Sequence, residues 1–205
     1  MELKEALQEL RKPEEKKFDQ SVDLIVNLKG IDLKRTNISG IFSVPHKFKE
    51  KKVCAFLTKK SSLIPTITQP EFQKYKEKKE LRKLVNEFDF FISLSSLMPQ
   101  VASTFGKVLG PTGKMPSPQL GIITSESDSV IQEILRKIST SIKVRAREPS
   151  IKLSIGKAKM PDEQIISNAE TAFKEIVNML PTKKENVRSV LIKYTMSKPI
   201  KVEMK

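Results

Sequence analysis

Residues 18–28 read Phe18-Asp19-Gln20-Ser21-Val22-Asp23-Leu24-Ile25-Val26-Asn27-Leu28, and this stretch decides the fold class. Phe18, Gln20, Val22, Leu24, Val26 and Leu28 fall on one side of an extended chain; Asp19, Ser21, Asp23, Ile25 and Asn27 fall on the other. That predicts a strand with one mostly apolar and one mostly polar face. Upstream, Leu3, Leu7 and Leu10 share a face at helical spacing, and Pro13 stops that helix. Downstream, Lys29–Asn37 reads as a loop, and Ile38–Val44 and Val53–Leu57 as two more strands flanking a basic loop at Pro45-His46-Lys47. Near the other end of the chain the same character returns. Ile151, Leu153 and Ile155 alternate, and Asp162 and Glu163 open a helix with apolar Ile165, Ala169, Phe173, Ile176 and Leu180. Val187–Tyr194 is strand-like, and Ile200 and Val202 continue it past Pro199.

Between these ends the pattern changes. Leu81, Leu84, Val85 and Phe88 mark a helix face, Phe88, Phe90, Ile92 and Leu94 a strand, and Leu97, Val101 and Phe105 a second helix. A Gly/Pro-rich loop over Gly106–Gly121 is followed by a helix through Val130, Ile131, Ile134, Leu135 and Ile138 and a strand over Ile142–Ala146. Alternating helix and strand is the pattern of an open α/β sheet. The chain therefore reads as two domains: a discontinuous α+β domain of residues 1–59 and 150–205, and an α/β domain of 60–149 inserted into it. The polar run Lys59-Lys60-Ser61-Ser62 and the triplet Glu148-Pro149-Ser150 mark the crossings.

The 205 residues carry 38 Lys and Arg against 24 Asp and Glu, a net charge of +14, which points to a polyanionic partner with nucleic acid ahead of acidic lipid. No apolar run is long enough to span a bilayer. The start, with Glu2, Lys4, Glu5 and Glu9, lacks the apolar core of a secretory signal, so a cytoplasmic location is expected. One cysteine excludes an intramolecular disulfide and a multi-cysteine zinc site, and one histidine excludes a histidine-rich metal site. No metal and no cofactor is expected. Cys54, inside Val53-Cys54-Ala55-Phe56-Leu57, reads as buried filler.

The enzyme alternative rests on residues 106–118 as a phosphate cradle for a nucleotide. It fails twice: a P-loop needs glycine where Val108 stands and Ser or Thr where Met115 stands. Pro111 and Pro116 also remove amide donors. No nucleophile has a base beside it, and His46 reads as a surface or RNA-contact residue, so no catalytic residue is expected. The positive signal is basic density. Lys47–Lys60 carries six lysines and one glutamate, Ser141–Met160 six basic residues and one glutamate, and Pro181–Lys205 seven basic and two acidic residues. Such clusters bind phosphates, while apolar contacts add shape recognition of RNA. Phe18 is the apolar candidate, set against the ordinary reading of a core phenylalanine.

Three ordered motifs resemble the L-one family of large-subunit ribosomal proteins. They are Phe18-Asp19-Gln20-Ser21-Val22, the stretch Val108-Leu109-Gly110-Pro111-Thr112-Gly113-Lys114-Met115-Pro116-Ser117-Pro118, and Ser189–Pro199 with its Tyr194-Thr195-Met196-Ser197. Phe88-Asp89-Phe90-Phe91-Ile92 and Leu97-Met98-Pro99 are similar to its archaeal branch. The resemblance implies an RNA-binding outer domain and a Rossmann-like insert. It also implies a place at the mobile stalk beside the tRNA exit site. The implied partners are large-subunit rRNA, exit-site tRNA, other ribosomal components and the protein's own mRNA, which it would repress; off the ribosome it would be a monomer, with no membrane partner. The rRNA-binding residues implied are Phe18, Ser21, Gly156, Lys157, Thr195, Met196 and Ser197, with secondary contacts from Lys17, Arg35, His46, Lys114, Lys193 and Lys198. One departure stands out: the family usually has glycine, which lets RNA approach the backbone, where this chain has Ser197.

Overall fold

The computed structural model describes residues 1–12, 18–33, 36, 38–75 and 77–204, so Pro13, Lys17 and Arg35 lie outside the described residues. Its elements are α1 (Leu3–Arg11), β1 (Ser21–Leu28), β2 (Ser39–Ser43), β3 (Val53–Leu57), β4 (Thr66–Thr68), α2 (Lys78–Glu87), β5 (Phe90–Leu94), α3 (Met98–Thr112), β6 (Ile122–Ile123), α4 (Asp128–Thr140), β7 (Ser141–Arg145), β8 (Ser150–Lys157), α5 (Asp162–Met179), β9 (Val187–Tyr194) and β10 (Ile200–Val202). Short 3-10 turns occupy Gln69–Tyr75, Ser95–Leu97 and Lys183–Asn186. The chain forms two compact units, Met1–Lys49 with Thr140–Lys205, and Glu50–Ser139.

The first unit is built on an antiparallel sheet in the order β10-β9-β1-β8. β1 alternates between half-buried and buried residues, as its sequence predicts, and Val22, Leu24 and Val26 are fully buried. Phe18–Gln20 precede the strand rather than belonging to it. α1 and α5 complete the core with Ala6, Leu7, Ile165, Ala169, Ala172 and Ile176, all of them fully buried. A nine-residue helix such as α1 is too short to persist alone. It is held by those apolar contacts, about 1.5–3 kcal/mol for a buried leucine or isoleucine, and by Glu5 accepting the Glu2 N–H at 3.2 Å. A two-stranded ribbon, β2 with β7, belongs to the same unit.

The crossings differ from the expected boundaries of 1–59, 60–149 and 150–205. Each lies about ten residues earlier, so β3 belongs to the insert and β7 to the outer unit. β3 does not pair with β2. All five of its residues are buried, which is how an inner strand of a parallel sheet is expected to look.

The second unit has a parallel sheet in the order β4-β3-β5-β6, the Rossmann-like arrangement the resemblance implies. Phe56, Phe91, Phe105, Leu84 and Val101 pack into one core with α2 and α3, and Ala55, Leu57, Ile92, Ile131 and Ile138 into another with α4. Cys54 is buried in the first of these, and burial, with Glu87 adding to it, pushes its thiol up to about 12. It is filler, as its context predicts.

The expected loop over 106–121 begins later than predicted: α3 runs through Gly106 and Pro111 to Thr112, and the loop follows it. Pro111 costs little there, because only a final-turn hydrogen bond is lost, while buried Phe105 and Leu109 hold the helix down. Gly113, at φ +73°, then ends it. The Gly113 N–H donates to Gly110 O and the Lys114 N–H to Leu109 O, both at 3.0 Å, the Schellman pattern. Lys114 Nζ donates to Val85 O at 2.6 Å and Phe88 O at 2.8 Å, taking up carbonyls at the end of α2. Lys114 is thus a structural strut rather than a free phosphate contact. Lys114→Ala should lower the denaturant stability of the protein by about 2 kcal/mol, the value of hydrogen bonds to a charged donor, with RNA affinity of the folded protein unchanged; urea titration and RNA binding on one sample check both.

Candidate nucleic-acid interface

One end of the four-stranded sheet collects three segments that are far apart in sequence. β1 starts at Ser21, β8 ends at Lys157 and β9 ends at Tyr194; Ser21 pairs with Lys157, and Val22 with both Gly156 and Tyr194. Beyond Tyr194 the chain turns rather than continuing as a strand. The Ser197 N–H donates to Tyr194 O at 3.1 Å, and Ser197 Oγ accepts the Tyr194 N–H at 2.8 Å. Thr195 and Met196 are the exposed tip of that turn.

The tip is fastened to the start of β1. The Thr195 N–H donates to Ser21 O at 3.1 Å, and Thr195 Oγ1 accepts the Ser21 N–H at 3.1 Å. The Met196 N–H donates to Gln20 Oε1 at 3.1 Å, while Gln20 O accepts from Ala158 N–H at 2.8 Å. Lys157 Nζ donates to Ser21 Oγ at 3.2 Å. Two large apolar side chains stand in solvent at this end: Met196 on the fastened turn, 69% exposed, and Phe18 just before Gln20, 53% exposed. Phe18 is therefore not a core residue.

The basic part of the site wraps the sheet end: Lys157 and Lys193 are on the sheet face away from α1 and α5, and Lys198 lies beyond the end of β9. Lys193 is directly opposite Asp23 in the register. Burial raises the Asp23 carboxyl above its ordinary range, and Lys193 and Lys157 oppose that rise without cancelling it. Lys198 is exposed just past the turn.

Two expected contacts are placed differently. Gly156 is buried in a bulge opposite Val22 and Asp23, and a Cβ there would lie 3.1 Å from Ile165 Cγ1. Its missing side chain serves the packing of α5, not an exposed surface. Lys114 belongs to the second unit and is committed to α2. His46 is half-buried, and its main chain is clamped by fully buried Asn168: the His46 N–H donates to Oδ1, and Nδ2 donates to His46 O and to Ile155 O, all at 2.9 Å. It is thereby tied to the residue preceding Gly156.

Gln20, Asn168 and the pair Arg11–Asp162 were not among the sequence candidates. Arg11 contacts Asp162 Oδ1 at 2.6 Å and Met160 O at 2.8 Å, fixing the turn that follows Lys157. Only the Phe18-Asp19-Gln20-Ser21 motif carries a signal for any of these, through Gln20; the others act across the fold. Among the described residues no group of three or more His, Cys, Asp or Glu is placed to hold a metal, and no helix is long and apolar enough to cross a membrane.

An antiparallel sheet backed by two helices, split in sequence by a parallel α/β unit and ending in a basic, apolar-tipped surface, defines a two-domain α/β protein. Residues 10–198 match the Ribosomal protein L1p/L10e family, and the chain belongs to that family. It is 31% identical to the large ribosomal subunit protein uL1 of Pyrobaculum calidifontis, over 98% of this chain and 92% of that one. It is also 31% identical to the uL1 proteins of Thermofilum pendens and Thermococcus kodakarensis, over 98% of this chain and 90% and 96% of theirs. These relatives are ribosomal proteins of archaea, so the archaeal resemblance holds, and the enzyme alternative is set aside with them.

Two substitutions probe the site. Thr195→Val removes the acceptor of the Ser21 N–H and should cost about 1 kcal/mol of stability, read as earlier denaturation and faster amide exchange at Ser21. Asp23→Asn should be stabilising at neutral pH, because a carboxyl whose folded value is raised destabilises the native state only while ionised. That advantage should shrink as pH falls through the raised range of Asp23, which denaturant titrations at several pH values measure.

Proposed function

We propose that this chain is a structural constituent of the large ribosomal subunit that binds rRNA at the mobile stalk through the sheet end of its first unit, Met1–Lys49 with Thr140–Lys205. One observation carries the reading: Phe18 and Met196 stand in solvent, Met196 on a turn hydrogen-bonded to Gln20 and Phe18 two residues before that anchor, at the sheet end that also carries Lys157, Lys193 and Lys198. Exposed apolar groups on a fixed frame gain by covering bases or ribose, and lysines around them gain by meeting phosphates. Ser21, Thr195 and Ser197 line the same end. Their hydroxyls are already used within the fold, so they act on RNA through the geometry they fix and through the lone pairs left over. The relatives' names place those proteins in the large subunit, and work on the ribosome puts this one in the cytoplasm. Contact with exit-site tRNA and repression of its own mRNA are implied by the family resemblance and belong to the proposal.

If six phosphates are met, log K against log salt should have a slope of about −4 to −5. Phe18→Ala should weaken binding of a folded stalk RNA by about 5- to 150-fold, the value of one base stacked on an aromatic ring, and Met196→Ala should weaken it less, with the slope and the melting temperature unchanged in both. Fluorescence anisotropy across a salt series tests this, and wild-type affinity in both variants would refute the assignment.

A further inference from the structure

A second basic feature lies toward the opposite end of α5. A groove of about 650 Å³ is floored by Phe173 and Val177 and rimmed by Lys174, Lys183 and Lys184, with Glu185 as its one carboxylate. All three lysines are exposed, and among the described residues their ammonium groups have no ion-pair or hydrogen-bond partner. Lys183 has φ +50°, the only positive φ outside glycine among the described residues. The turn that carries it is pinned by Asn186, which is 6% exposed. Asn186 Oδ1 accepts the Thr182 N–H at 2.8 Å and the Thr182 hydroxyl at 2.6 Å, and Nδ2 donates to Lys29 O at 3.2 Å. Glycine would take this left-handed conformation without steric conflict, so a lysine here is a charge kept on the groove against backbone preference.

We propose that this groove is a second phosphate-backbone contact, which lets one RNA stem grip the first unit at both ends of α5. The proposal rests on the reading that the first unit binds RNA. Arg11 and Asp162 tie the start of α5 to the Lys157 side of the sheet end, and the 18 residues of α5 span about 27 Å. That is shorter than the roughly 16-base-pair stems that double-stranded RNA-binding modules contact. Three ammonium groups against one carboxylate select an anion, and no arginine lines the groove. Lysine binds phosphate as a point charge, and the groove belongs to the same unit as the sheet end proposed to bind RNA, so a phosphate backbone can reach both from one molecule. The observations therefore favour RNA over an acidic peptide.

The test compares the full-length wild type with the triple variant K174Q/K183G/K184Q on a labelled, folded stalk rRNA with an extended stem, from 50 to 200 mM salt. Glycine at 183 keeps the turn, so both proteins should melt alike. Losing three phosphate contacts should make the salt slope shallower by about 2.7, so the variant's affinity should fall about 40-fold less than that of the wild type over this range. On an RNA trimmed to the minimal site the two proteins should bind alike. Equal slopes on the extended stem, with wild type binding normally, would overturn the groove and leave the sheet-end site standing. So would loss of binding to a labelled poly-glutamate peptide in the variant without a change on RNA. Failure of wild type to bind the stem RNA would sink both readings.

Discussion

β1 is hydrogen-bonded on one side to β8 and on the other to β9, and everything in the first unit depends on that double pairing. Its partners follow an insert of 90 residues, 50–139. The entropy of closing so long a loop rises only slowly: about 0.6 kcal/mol per doubling, or about 2.4 kcal/mol over a six-residue turn. Burying Val22, Leu24 and Val26 in the middle of the sheet, at about 1.5–3 kcal/mol each, more than offsets it. The ribbon of β2 and β7 lowers the cost further. It pairs Ser43 with Ser141, so the outer unit itself holds the departing and returning chains together. An insert bounded in this way can be large without loosening the sheet.

The same pairing fixes the sheet end proposed to meet RNA. Three chain segments stop at one level of the sheet, and Thr195, Gln20 and Lys157 bond across them before any ligand arrives. Met196 then needs no backbone ordering on binding, which removes part of the entropic cost of association. The electrostatics are less simple. Asp23 sits between Lys157 and Lys193 in a surface proposed to meet phosphates, and its burial penalty is only partly relieved by them. Its carboxylate lowers the net positive field around the two lysines.

Much of this was legible in the sequence. The alternation of Val22, Leu24 and Val26, the helix face of Ile165, Ala169, Phe173 and Ile176, and the split α/β organisation all follow from local periodicity, and the structure bears them out. What was misread involved partners far away in the chain. Val53–Leu57 looked like a neighbour of Ile38–Val44 because the two are adjacent; its unbroken burial and parallel pairing, not sequence distance, put it in the insert. Gly106–Thr112 looked like loop because glycine and proline dominate it, yet Phe105 and Leu109 had enough to bury for the helix to continue. Lys114 looked like a free charge because nothing in sequence shows that the carbonyls of Val85 and Phe88 lie within its reach. Gly156 is a similar case: a contact residue by motif, but a spacer under Ile165 by packing.

Ser197 can be understood on the same grounds. Where glycine is usual, a side chain would be expected to keep a ligand from the backbone. Here the hydroxyl turns back on its own chain. It accepts the Tyr194 N–H at 2.8 Å and lies 3.1 Å from Lys198 O, its closer acceptor, with Tyr194 O at 3.4 Å. A glycine would leave the Tyr194 N–H to find water once β9 has ended; serine satisfies it internally and closes the turn from within. The added atoms therefore reinforce the support under Thr195 and Met196, and those two residues remain the part of the turn that faces outward.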